Sequence, residues 1–227
     1  TLMQFMLVRE NGPEKFKAWE ADFSDVYAYL ESLEAPEYPH EIDRPLASRG
    51  KLIFEKHCAE CHGTYSDDPA QETYPNRRVP MDEIGTDPVR LEALTPEARR
   101  RYGQSWFAHF GEREIDEDPG GYVAPPLDGV WATAPYFHNG SVPTLWHVLH
   151  PEQRPKIWKR TDDGYDRDRV GLEIETFDKL PREVNSAKAA RWYFDTRGFG
   201  KSAAGHTFPD VLDEAEKRAV LEYLKTL

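Results

Sequence analysis

Both cysteines of this 227-residue chain lie within four residues, and a histidine follows the second one: Cys58, Cys61 and His62. Cys-x-x-Cys-His is the attachment signature of c-type haem. Two thiols at this spacing can add across the two vinyl groups of one porphyrin, while the adjacent imidazole binds the iron as the proximal ligand. The spacing therefore predicts one covalently attached haem c held by these three residues.

A redox dithiol and half of a zinc site are the other interpretations of the two thiols. A thioredoxin-like motif begins a helix after a buried strand, whereas this motif is expected to end a helix. A structural zinc site would need two more ligands at the spacing of a zinc finger. Haem attachment is therefore favoured over both.

Two amphipathic helices are expected to position the motif. The first precedes it, since one helical face carries Leu46, Gly50, Ile53, Phe54 and His57. The second covers residues 213–227 and begins with a capping box formed by Asp213 and Glu216. Gly50 with Phe54, and Val220 with Tyr223, resemble the crossing helix pair of the c-type cytochromes. Gly50 would allow the second helix to approach closely.

The second axial ligand of the iron must come from a loop on the distal face of the haem. In c-type cytochromes this loop commonly precedes the C-terminal helix, and here residues 200–209 contain no Met but contain His206. His206 is therefore favoured as the distal ligand, which would give a bis-His, low-spin, six-coordinate iron. Met81 and His138 remain alternatives, and a thioether ligand from Met81 would raise the reduction potential.

The other histidines have weaker claims as ligands. His57 is expected beside the haem edge because it adjoins the motif, and His147 and His150 are expected on a short helix after Pro143. His40 and His109 are expected to be ordinary surface or core residues.

One segment of the chain resembles a segment of the bacterial di-haem cytochrome c peroxidases and their relatives, among which the di-haem rubber oxygenases are most similar. It covers residues 125–145, with the sequence PPLDGVWATAPYFHNGSVPTL. Residues 74–76 and 84–88 also resemble that group, and the likeness extends over residues 22–227. The resemblance implies that His206 matches the distal histidine of the C-terminal, electron-transferring haem.

The chain departs from that family in the number of haem motifs. Family members carry two Cys-x-x-Cys-His motifs, the first of which belongs to a catalytic haem, whereas this chain carries one. Peroxidase or oxygenase activity is therefore not carried over, and no catalytic residue is assigned.

Three functions are compatible with a single motif. The leading hypothesis is a mono-haem c-type cytochrome that carries single electrons. The second is an electron-relay domain or subunit of a di-haem peroxidase-like or oxygenase-like oxidoreductase. An N-terminal domain or partner subunit would then cover the apolar run at residues 2–8, which could equally pack on the chain's own core. The third makes the haem catalytic, with an open iron and His138 or an arginine as the acid-base group.

The net charge of −12 constrains the partners. It argues against electrostatic binding to nucleic acid or anionic lipid and favours a redox partner with a basic docking face. The acidic run at residues 112–118 is expected to be solvated surface. No apolar run approaches the roughly 20 residues of a membrane-spanning helix. Because haem c is attached outside the cytoplasm, the resemblance implies a periplasmic or extracellular location.

The expected fold is mainly α. A cytochrome c-like helical haem domain would cover residues 41–227, with long loop insertions and a small β-hairpin at residues 156–175. A helical extension would cover residues 1–40, with a helix from Phe23 to Leu33.

Overall fold

The computed structural model describes residues 2–66, 68–108 and 115–227. His109 and residues 112–114 of the acidic run therefore lie outside the described residues. The chain divides into two compact units, one formed by Thr1–Ala35 with Ala93–Pro119 and the other by Pro36–Glu92 with Gly120–Leu227. The division between residues 40 and 41 expected from the sequence stays a prediction.

The α-helices are α1 (Pro13–Ala18), α2 (Glu20–Glu31), α3 (Arg44–His57), α4 (Ala59–His62), α5 (Met81–Ile84), α6 (Val89–Glu92), α7 (Pro96–Gly103), α8 (Leu145–Leu149), α9 (Ala187–Ala190) and α10 (Glu214–Leu224). Short 3₁₀ helices cover Leu2–Met6, Pro69–Gln71, Val130–Ala132, Pro151–Gln153 and Phe208–Val211. The strands are β1 (Arg78–Pro80), β2 (Gly121–Val123), β3 (Ile157–Asp166), β4 (Gly171–Phe177) and β5 (Phe194–Asp195).

The prediction of a mainly α, cytochrome c-like helical fold is wrong. In the part of the chain that the structure describes, helix accounts for 41% and strand for 13%, and the strands form two antiparallel sheets, so the fold is mixed α and β. The sequence pattern missed β1, β2 and β5 because strands of two or three residues show no detectable alternation. Such strands form only where a segment distant in the sequence pairs with them.

Helices α3 and α10 cross at Gly50 and form the centre of the larger unit. A Cβ atom at Gly50 would lie 1.9 Å from the carbonyl oxygen of Ala219, so only glycine permits this approach. The rings of Phe54 and Tyr223 pack 5.3 Å apart between the helices. The predicted helix pair is thus confirmed, and so is the capping box of Asp213 and Glu216 at the start of α10. Both helices bury their apolar faces in one core cluster.

The predicted hairpin at residues 156–175 is confirmed as β3 and β4, which pair from Ile157 opposite Phe177 to Asp166 opposite Gly171. Strand β5 adds to the other edge of β3, giving the order β4-β3-β5. The second sheet pairs β1 with β2, with Val79 opposite Tyr122. Both strands belong to the larger unit, and in the sequence they flank Ala93–Pro119, which belongs to the smaller unit.

The smaller unit contains α1, α2 and α7. Its buried centre is Phe16, whose ring contacts the rings of Trp19, Trp106 and Phe107 at 5.2–5.4 Å. The helix expected from Phe23 to Leu33 is present as α2, which buries none of its side chains. Among the residues of the apolar run near the start of the chain, Phe5 is 77% exposed.

Candidate haem site

The Cys-x-x-Cys-His motif forms a single helical turn that follows α3. The backbone N–H of Cys58 donates to the Phe54 carbonyl at 2.8 Å and so continues α3 to its end. The N–H groups of Cys61 and His62 then both donate to the Cys58 carbonyl, at 3.1 and 3.0 Å. The motif is therefore held rigidly against the helix that packs on α10.

Both cysteines are free thiols in the structure. Burial, with a smaller contribution from the neighbouring Cys61, raises the pKa of Cys58 to about 12. Burial also raises the pKa of Cys61, against the opposing effect of Arg77. Redox dithiols have a lowered thiol pKa, so this environment does not suit that alternative.

The ring of His62 is oriented by a backbone carbonyl. Its Nδ1 lies 3.0 Å from the Pro125 oxygen, which can only accept a hydrogen bond, so Nδ1 carries the proton. Burial lowers the pKa of His62, and the Pro125 contact raises it partly. The ring is therefore a neutral imidazole whose Nε2 lone pair is available to a metal.

The hydroxyl of Tyr65 links the segment of His62 to residues 124–127. It donates to the His62 carbonyl at 3.0 Å and accepts from the backbone N–H of Leu127 at 2.7 Å. The hydroxyl of Tyr74 donates to the Ala124 carbonyl at 2.7 Å. Residues 124–127 are thereby tied to the segment after the motif, which keeps the Pro125 carbonyl facing His62.

The structure brings the rings of His206 and His62 close together. The centroids of the two imidazole rings lie 6.3 Å apart, with 63° between the ring planes. Two opposed imidazoles that share one metal have centroids about 6 Å apart, because each metal–nitrogen bond is about 2 Å long. The pair therefore has the separation that a haem iron between them requires.

His206 is a partly buried residue whose ring is neutral. Burial lowers its pKa to about 4, with smaller contributions from His62 and Arg154. Its Nδ1 is buried and has no hydrogen-bond partner among the described residues. The Nε2 of His138 is likewise buried without a partner among these residues, so the orphaned nitrogen alone does not distinguish the two histidines.

One alternative distal ligand, His138, packs against a different ring. The ring of His138 stacks on Tyr122 at 4.3 Å, with 26° between the planes. Met81 is the first residue of α5, and its backbone N–H donates to the Gly120 carbonyl. Among the described aromatic and imidazole rings, those of Phe54 and His206 contact His62.

The remaining histidines of the described chain have other partners. His57 ends α3 and is exposed, and His40 packs edge-on against Tyr38. His147 is buried on α8 with its Nδ1 2.7 Å from the Thr144 hydroxyl. His150 is fully buried just after α8 and contacts the Glu214 carboxylate at 3.3 Å.

The loop that carries His206 crosses a second loop at two glycines. The backbone N–H of His206 donates to the Ile84 carbonyl at 2.6 Å. A Cβ atom at Gly205 would lie 2.2 Å from the carbonyl carbon of Gly85, and Gly205 has a φ of +79°. His206 itself has a φ of +49°, a conformation that few residues other than glycine adopt. The crossing thus forces the histidine into a strained but defined position.

Sequence reasoning missed three residues that hold the distal loop: Asp87, Asn139 and Arg154. The Asp87 carboxylate accepts from the Ser202 N–H at 3.0 Å, and the Asn139 amide donates to the Ser202 carbonyl at 2.9 Å. Arg154 donates to the carbonyls of Ala203 and Gly205 at 2.7 Å each. Asn139 and Asp87 both lie in segments that resemble the family, at residues 125–145 and 84–88, and that position is the signal that could have indicated them.

The donor set suits a haem rather than a metal ion bound by protein alone. Across the ranges that the structure describes, no group of three or more His, Cys, Asp and Glu side chains could hold a metal ion. Two opposed imidazoles beside two thiols are the groups that a covalently attached haem needs. No helix in these ranges is long and apolar enough to cross a membrane.

Comparison with known protein families bears on the same region. Residues 121–159 match the family model of RoxA-like, cytochrome c-like domains. This region is cytochrome c-like. The match indicates haem c as the cofactor and electron transfer as the kind of function. The cytochrome c-like region includes Pro125, Asn139 and Arg154, which are the groups that orient His62 and hold the loop of His206.

Two uncharacterised proteins of Sinorhizobium fredii are similar to most of the chain. One, y4iM, is 30% identical over 87% of this chain, and the other, y4iJ, is 29% identical over 86%. The alignments cover 52% and 41% of those proteins. The chain thus spans about half the length of these curated relatives.

Proposed function

We propose that this chain is a mono-haem c-type cytochrome that carries single electrons through a bis-His iron. The observation that supports this most is the pair of partly buried, neutral imidazoles of His62 and His206, with centroids 6.3 Å apart. Cys58 and Cys61 would hold the haem through thioether bonds. When bound, haem c supplies one-electron chemistry between ferric and ferrous iron.

The protein's own residues would keep the iron ligands unchanged in both oxidation states. The Pro125 carbonyl fixes the ring of His62, and the loop crossing at Gly85 and Gly205 fixes the backbone of His206. Rigid ligands favour fast electron transfer because little rearrangement accompanies a change of charge. With both imidazoles bound, no position for a substrate would remain at the iron, which favours an electron carrier over a catalytic haem.

Phe208 offers a route between the distal ligand and the surface. Its ring contacts the ring of His206 edge-on at 5.4 Å, and its side chain is 38% exposed. The net charge of −12 would attract a redox partner with a basic face. The proposal includes a periplasmic or extracellular location, because haem c is attached outside the cytoplasm.

A second candidate function is supported by the length of the relatives. Because the chain spans about half of y4iM, the haem domain could serve as the electron relay of a larger di-haem oxidoreductase. The discriminating measurement is the intact mass of the protein isolated from its native source. One covalent haem supports the electron carrier, and two support the relay.

The bis-His proposal is tested by removing His206 and, separately, the alternative ligand His138. His206→Ala should convert the ferric absorption spectrum from low-spin to high-spin, because the iron loses its distal ligand. His138→Ala is the matched control and should leave a low-spin spectrum. An unchanged spectrum in His206→Ala, together with a changed one in His138→Ala, would assign the ligand to His138 instead.

A further inference from the structure

Arg154 is a largely buried cation within the cytochrome c-like region. It lies between the 3₁₀ helix Pro151–Gln153 and strand β3. Burial lowers the pKa of its guanidinium to about 10, so the group remains charged at neutral pH. Asp210 and Glu152 influence it only from a distance, and no ion pair in the described part of the chain includes it. Its environment therefore differs from that of an ordinary surface arginine.

All five N–H groups of the Arg154 guanidinium point at backbone carbonyls. Two carbonyls belong to α8: Nε donates to His147 at 2.9 Å and Nη2 to Val148 at 3.3 Å. Three belong to the distal loop: Nη1 donates to Ala203 and Gly205 at 2.7 Å each, and Nη2 approaches the carbonyl of His206 at 3.4 Å. Because a guanidinium has five N–H donors, none is left for a carboxylate of the protein or of a haem.

These bonds connect the distal loop to the end of α8. The last carbonyls of a helix have no partner within the helix, and a cation is favoured beside them. Arg154 donates hydrogen bonds to two such carbonyls of α8 and also to carbonyls of the distal loop. Its guanidinium carbon also lies 4.8 Å from the centroid of Phe137, whose ring contacts that of His206 at 5.9 Å.

We propose that Arg154 is a positioning residue for the distal ligand His206, and that its buried charge favours the reduced iron. This inference rests on the proposed function. A histidine at a φ of +49° keeps that conformation only where its surroundings hold it, and Arg154 binds three of the four carbonyls from Ala203 to His206. Ferric iron carries one more positive charge than ferrous iron, so a nearby cation disfavours the ferric state.

Two substitutions separate the positioning effect from the charge effect. Arg154→Lys keeps the charge, but its three donors on one nitrogen cannot span α8 and the loop together. Arg154→Gln removes the charge as well. Arg169→Gln is the matched control, because it removes the same charge from an exposed side chain in the turn between β3 and β4.

The first readout is the rate at which cyanide replaces the distal ligand of the ferric protein. We expect both Arg154 variants to bind cyanide at least about tenfold faster than the wild type, because the lost hydrogen bonds no longer hold the loop. The Arg169→Gln control should bind cyanide at the wild-type rate. Wild-type rates in both Arg154 variants would overturn the positioning role.

The second readout is the reduction potential of the iron. Arg154→Gln should lower it, whereas Arg154→Lys should stay near the wild type. Equal potentials in Arg154→Gln, Arg169→Gln and the wild type would overturn the charge effect. If Arg154 only stabilised the fold, both variants would lower the unfolding midpoint, and their reduction potentials would not differ from each other.

A measurement on the wild type covers the case in which the variants do not fold. The Nε–H of Arg154 should give a slowly exchanging nuclear magnetic resonance signal whose position changes when the iron is reduced. A rapidly exchanging signal that is indifferent to reduction would contradict the inference. A wild type that binds haem but is high-spin would instead contradict the bis-His proposal, while the exchange rate of this signal would still report whether Arg154 holds the loop.

Discussion

At the scale of single residues, the two imidazoles of the candidate haem site are held by different contacts. Pro125 fixes the tautomer of His62 through its carbonyl, whereas the Nδ1 of His206 has no partner among the described residues. The proximal ring is therefore oriented by a direct contact. The distal ring is oriented through the backbone of its own loop.

His147 makes stability depend on pH. Burial, with smaller contributions from Arg169, His150 and Arg154, lowers its pKa to about 4. The folded protein keeps this ring neutral while the unfolded chain protonates it near pH 6.5, so unfolding takes up a proton between about pH 6.5 and 4. The free energy of unfolding should fall by up to roughly 3 kcal/mol across this window as the pH decreases.

Urea unfolding at pH 7 and at pH 4.5 measures this dependence. His147→Gln is the test variant, because it retains a polar group next to Thr144 but cannot titrate. The loss of stability between the two pH values should be smaller in His147→Gln than in the wild type. An equal loss in both proteins would show that other groups cause it.

At the scale of elements, the crossing of α3 and α10 determines where the motif lies. A Cβ atom at Gly50 would overlap the Ala219 carbonyl, and backbone on both sides prevents a local adjustment. Gly50→Ala should therefore force the helices apart and reduce the free energy of unfolding by about 2 kcal/mol or more. Thermal unfolding of the haem-loaded protein measures this.

Gly12 provides the control for this substitution. A Cβ atom at Gly12 would meet nothing within 4 Å, and its φ of −90° suits any residue. Gly12→Ala should change the stability by less than about 1 kcal/mol. If Gly50→Ala were as stable as Gly12→Ala, the close helix crossing would be wrong.

The elements also show which parts of the fold can be predicted from the sequence. The haem motif, helices α3 and α10 and the hairpin of β3 and β4 each depend on residues within about 20 positions of one another. The local sequence pattern alone therefore predicts them. The contacts of Asp87 and Arg154 with the distal loop span 115 and about 50 residues, and such contacts leave no local pattern. The mainly α prediction failed for the same reason, because β1 and β2 depend on each other.

At the scale of the whole molecule, charge governs the encounter with partners. With a net charge of −12, the chain should react with a basic redox protein at a rate that falls as salt screens the attraction. Stopped-flow reduction at ionic strengths from about 0.01 to 0.3 M should show a decrease of roughly tenfold or more.

A small uncharged reductant serves as the control for this experiment. Its rate should be nearly independent of salt, because it experiences no long-range attraction. A rate with the basic partner that rises with salt, or that matches the control, would mean that the overall charge does not steer docking.

The central claim is that His62 and His206 bind one haem iron from opposite sides. Low-temperature electron paramagnetic resonance of the ferric wild-type protein tests it most directly, because the signal reports the spin state and the axial ligands of the iron. A low-spin signal typical of two imidazole ligands is the expected result. A high-spin, five-coordinate signal, or a low-spin signal accompanied by a thioether charge-transfer absorption band, would contradict it.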